Sequence, residues 1–144
     1  MFRIIKYLSL MLMLINSSFS QDAINKSASN DLLKQGNQLL EKRDFEKAKL
    51  TYKLYQKYVE KNAVKWLDAQ LLLIRCNIET NNFLEAEKLL LEASKKAAVS
   101  NPNNKNINNK IDLLKAEIFE IKNEFYKAEE IYRQLISTNN SAEV

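Results

Sequence analysis

The sequence contains no histidine. That absence removes imidazole metal ligands, Ser-His-Asp triads and histidine proton relays together. One glycine and one proline in 144 residues leave no glycine-rich phosphate loop. They also argue against sheets closed by tight hairpins, which draw heavily on turn residues. A single cysteine, Cys76, allows no internal disulfide. It stands in the apolar run Leu71 to Cys76 with only Arg75 adjacent, and the plain reading is a small buried hydrophobe. Carboxylates are plentiful, but Glu85, Glu87, Glu92, Glu129 and Glu130 fall on polar helix faces and suit a solvated surface better than a paired catalytic site. Neither an enzyme nor a bound cofactor is expected.

What is present is enough for one helical domain. Hydrophobic residues make up 46% of the chain, a globular proportion. Residues 1–20 order themselves as a secretory signal: Arg3 and Lys6, then nine mostly apolar residues from Tyr7 to Ile15, then Ser18-Phe19-Ser20 with small residues at the cleavage positions. The apolar run falls short of the ~20 residues that span a bilayer. The competing readings are an uncleaved N-terminal anchor and a buried first helix. Cleavage leaves a chain starting at Gln21, exported to a periplasmic or secreted location. Its net charge falls from +4 to +2 with the loss of Arg3 and Lys6, so nucleic acid is not an expected partner.

After a polar linker at 21–29 the chain repeats itself. Phe45-x-x-Ala48-x-x-x-Tyr52 recurs as Phe83-x-x-Ala86-x-x-x-Leu90 and as Phe125-x-x-Ala128-x-x-x-Tyr132, at spacings of 38 and then 42 residues. Repeats of this length mean stacked supersecondary units. The first helix, from about Asn30 to Glu41, carries Leu32, Leu33, Gly36, Leu39 and Leu40 at three- and four-residue steps. Gly36, costly in a helix interior by about 1 kcal/mol, is expected to let a neighbouring helix approach. Asp44 is an N-cap for a second helix from Phe45 to about Lys61. A middle helix from Ala63 to about Thr80, apolar on most sides, is expected to be buried on most sides. A fourth runs from Phe83 to about Ala98, residues 99–109 with Pro102 and six asparagines read as a loop, and the last pair covers Lys110 to Ile121 and Glu124 to Ser137. The repeat domain spans 30–137 and a flexible tail 138–144.

The pattern resembles the tetratricopeptide repeat, which reads W-x-x-L-G-x-x-Y, then A-x-x-x-F, then P. Here Leu32-x-x-Gln35-Gly36-x-x-Leu39 and Ala48-x-x-x-Tyr52 carry it, followed by Leu73, Phe83 and Ala86 in the second copy and Ala128 and Tyr132 in the third. The resemblance implies an all-α solenoid of three antiparallel helix pairs. It further implies a protein-interaction scaffold whose concave face, lined by first helices, takes a protein or peptide partner. Some members grip carboxylate termini with a two-carboxylate clamp. Of its positions Asn37 and Lys110 match, whereas Leu33, Leu72 and Leu114 stand where Lys, Asn and Arg are needed, so that function is rejected.

The contact candidates on the concave face are Asn37, Glu41, Asn77 and Lys110. Tyr132 and Ile136 form an apolar row on the last helix, open to a homo-oligomer, another protein or a C-terminal continuation of the chain. Lys49, Lys53, Lys57 and Lys61 follow an i+4 row that reads as a solubilising face or as contact with an anionic partner such as a membrane surface. The alternative for the whole chain is the periplasmic sensory part of a longer envelope signalling protein.

Overall fold

Three near-identical turns set the architecture. In a computed structural model, which describes residues 25–100 and 102–140, Arg43, Asn81 and Asn123 adopt left-handed backbone with φ of 59°, 57° and 61°. They stand 38 and 42 residues apart, the spacing of the sequence repeat. Each turn closes with the same two bonds. Arg43 N donates to Leu40 O and Asp44 N to Leu39 O, both at 2.9 Å. Asn81 and Asn82 do the same to Ile78 and Asn77, and Asn123 and Glu124 to Glu120 and Phe119. This 5→2 and 6→1 pair is the Schellman closure of a helix C-terminus. It reverses the chain in three residues and produces three antiparallel helix pairs.

The helices are α1 (25–41), α2 (Phe45–Tyr58), α3 (Ala63–Glu79), α4 (Phe83–Ser100), α5 (Lys105–Ile121) and α6 (Phe125–Asn140). No strand occurs among the described residues. Successive helices pack on one another, and α3 also meets α5, so the pairs stack as an all-α solenoid. Asp44, Asn62 and Asn104 cap α2, α3 and α5, their side chains accepting from the backbone N–H three residues on.

The core follows the repeat. Ala48, Ala86 and Ala128 are buried, as are Tyr52 and Leu90. Gly36 explains itself: a Cβ there would lie 2.5 Å from Tyr52 Cε1, so only hydrogen fits beneath the ring. The Tyr52 hydroxyl donates to Asn37 Oδ1 at 2.9 Å. Helix α3 is buried on most sides, through Leu67, Ala69, Leu71, Leu73, Ile74, Cys76 and Ile78. Gln70, also buried, ties three helices together. Its Oε1 accepts from Gln56 Nε2 of α2 at 2.6 Å, and its Nε2 donates to Leu89 O of α4 at 3.2 Å.

Several boundaries depart from the sequence reading. The linker expected at 21–29 is helical from residue 25. Ser29 is buried and its hydroxyl donates back to Lys26 O, and Asn25, Lys26 and Ser29 share a hollow with Lys57, Tyr58 and Val59 at the end of α2. Of the loop expected at 99–109, residues 99–100 end α4 and 105–109 begin α5, and among the described residues only 102–104 are non-helical. Ile107 joins Ile111, Leu114 and Ile118 in one buried row of α5, and that row outweighs the asparagines around it. The second helix stops at Tyr58, because Val59 folds in as its buried C-cap. The tail expected from 138 is helical to Asn140. Residues 1–24, where the secretory signal and its cleavage site are expected, lie outside the described residues, as do residues 101 and 141–144.

Candidate functional site

The first helices of the three pairs line one groove. Leu33, Asn37 and Leu40 come from α1; Asp68, Leu71, Leu72 and Arg75 from α3; and Lys110, Leu113 and Leu114 from α5. Its volume is about 620 Å³, within the usual range for binding clefts. Six leucines make its surface predominantly apolar.

The charges in the groove are matched within the fold. Lys110 Nζ lies 3.4 Å from Asp68 Oδ1, and Arg75 pairs with Glu117. Both pairs join residues 42 apart, one repeat, so equivalent levels of α3 and α5 are linked twice. These groups are half-exposed, and pairs of that kind contribute little to stability. Their effect here is to leave the groove without a large unpaired charge of either sign.

The groove gathers the five positions that align with the carboxylate clamp: Leu33, Asn37, Leu72, Lys110 and Leu114. Three leucines among the five replace ion-gripping groups with apolar surface. Of the other contact candidates, Glu41 lies beside the groove with Asn30, Lys34 and Gln38. Asn77 is not in it. It is 3% exposed, and its Nδ2 donates to Leu73 O within α3, so it serves its own helix. Sequence reasoning missed Leu40, Asp68, Leu71, Arg75 and Leu113. The signal was there in the three-four spacing of α1 and α3, which carries more apolar side chains than one neighbouring helix covers.

The basic row is broken up. Lys49 is mostly covered and its Nζ reaches Thr80 Oγ1 at 3.5 Å, whereas Lys53 and Lys57 are exposed. Lys61 follows the end of α2 and sits in a turn, off the helical row. Lys57, Lys61 and Lys65 instead gather with Lys26 of α1 around a hollow that Glu60 also lines. On α6, Tyr132 is half-buried and Ile136 exposed.

Cys76 does not line the groove; it is fully buried in the core, and burial pushes its thiol up to about 11. It is a protonated, inert side chain at neutral pH. Among the described residues no cluster of Cys, Asp and Glu is arranged to hold a metal ion, and no helix is long and apolar enough to cross a membrane.

No protein-family model matches the sequence, and no curated protein matches it. Among solved structures the chain is similar to the crystal structure of the TPR domain of Arabidopsis FLU, with a TM-score of 0.70 at 16% identity, over 81% of this chain and 98% of that one. The fold is therefore that of a tetratricopeptide-repeat domain.

Proposed function

We propose that the chain is an exported scaffold that holds an apolar segment of a protein partner in the groove between its first helices. The observation that carries this reading is the groove's composition: leucines from three separate helices converge on one surface, with the neighbouring charges paired among themselves. An amphipathic helix or extended peptide presenting alternating apolar side chains fits such a surface. A carboxylate terminus does not, because Leu33, Leu72 and Leu114 offer it no donors.

Leu72→Glu tests the site, since Leu72 is half-buried and lines the groove. Mature protein carrying a photo-crosslinker in the groove is expected to capture a defined partner from the cell envelope, to lose it with Leu72→Glu, and to keep it with Lys57→Glu on the other face. Equal capture by all three forms would defeat the groove. Export is tested separately: the intact mass of the exported protein should begin at Gln21. A second reading rests on the meeting of Lys26, Lys57, Lys61 and Lys65 around one hollow, which suits an anionic surface. Salt-sensitive binding to anionic vesicles, lost on Lys57→Glu with Lys61→Glu, is its signature.

A further inference from the structure

Equivalent positions in the three second helices have different surroundings. Phe45, Phe83 and Phe125 occupy one such position, and the first two are half-buried while Phe125 is 61% exposed. Gln56, Ser94 and Ile136 occupy another. Gln56 bonds to Gln70 of α3, Ser94 is half-buried, and Ile136 is 61% exposed. At a third position Lys49 reaches Thr80 at the end of α3, and Glu87 accepts from Lys122 at the end of α5 at 2.7 Å. Glu129, their counterpart, bonds along its own helix to Arg133. The side of α2 that α3 covers, and the side of α4 that α5 covers, is thus bare on α6 among the described residues.

We infer that this face is a homodimer interface in which α6 packs antiparallel against α6 of a second copy. The face is complementary to itself in that arrangement. A two-fold axis beside residues 130 and 131 sets Phe125 of each copy opposite Ile136 of the other. The same axis sets Glu129 opposite Arg133, so apolar groups meet apolar groups and opposite charges meet at the rim. A two-fold interface requires this kind of self-matching. Phe125 replaces Tyr132 as the natural partner of Ile136, because Tyr132 is already half-buried in its own unit. One helix pair lies at the small end of specific interfaces. This face is separate from the leucine groove, and its test is independent of that reading.

Sedimentation of the full chain from micromolar to near-millimolar concentration tests the inference. Wild type is expected to pass from monomer to dimer. Phe125→Glu with Ile136→Glu should move the midpoint at least about tenfold higher. Charge reversal supplies the decisive arm, because Glu129 and Arg133 are exposed and their replacement leaves the core intact. Glu129→Arg alone and Arg133→Glu alone should each be monomeric. Mixed together they should recover a heterodimer, since the antiparallel register pairs each changed residue with an opposite charge. A wild type that stays monomeric overturns the interface. So does a dimer indifferent to these substitutions, as from association through residues outside α6, and so does a mixture that fails to recover.

Discussion

Replacing Gly36 by alanine sets two effects of similar size against each other. In an open helix interior the change stabilises by about 1 kcal/mol, because alanine loses less backbone freedom on folding. Here the new methyl would lie 2.5, 2.9 and 3.1 Å from three atoms of the Tyr52 ring. The ring must retreat by about 1 Å to restore an ordinary carbon contact of about 3.5 Å. It has little room, being fully buried and tethered by its hydroxyl to Asn37. Overpacking of this kind costs about 1–3 kcal/mol, so the net effect of Gly36→Ala is a loss of up to about 2 kcal/mol. In a Tyr52→Leu background the obstruction is gone, and Gly36→Ala should then stabilise by up to about 1 kcal/mol. Urea unfolding of the four proteins, followed by circular dichroism, measures the coupling between the two positions. If Gly36→Ala stabilises the wild type, or acts equally in both backgrounds, the close approach of α1 and α2 is not what excludes a side chain at residue 36.

Arg43 occupies a left-handed position that its two counterparts fill with asparagine, and its ion pair with Glu79 is long at 3.8 Å. Arg43→Gly should therefore stabilise by roughly 0.5–1 kcal/mol in guanidinium unfolding, and an unchanged midpoint would count against strain at that turn. Burial raises the Asp112 carboxyl above its ordinary value, an effect that Lys115 opposes. The protonated form thus favours folding below 3.8, and that contribution is lost as pH rises through the raised value. Asp112→Asn should raise the melting temperature at neutral pH and change little in acid below 3.8; equal gains at both would refute the assignment. Cys76 should resist a thiol reagent in the native protein and react fully on unfolding, and fast labelling under native conditions would place it at the surface.

Much of this fold can be read from apolar spacing alone. The Phe-x-x-Ala motif marks the second helices because each unit needs a small residue at its crossing, and Gly36 marks where the Tyr52 ring lies across a helix. The misplaced boundaries share one cause. Residues 105–109 look like loop by composition, yet a single isoleucine in register with Ile111 and Leu114 draws the helix back to Lys105. Helix α2 has no breaker before Lys61, and it ends early because Val59 finds cover. The groove was legible by position: the clamp alignment led to Leu33, Leu72 and Leu114 as mismatches, and in space those mismatches are its apolar wall. Asn77 falls outside the groove because α3 is covered on several sides by α2, α4 and α5, and local spacing does not encode which turn of such a helix stays open.

The groove draws its surface from α1, α3 and α5, one helix from each unit of the stack, and this has a consequence for dynamics. Each unit touches only its neighbours, so opening proceeds unit by unit from the ends. Helix α3, with neighbours on both sides, should exchange its amide hydrogens most slowly, and α6 among the fastest. A ligand lying along the groove would bridge all three units and bind only when all are formed. Its binding energy would then fall on the weakest links of the chain, turning three loosely coupled units into one cooperative body.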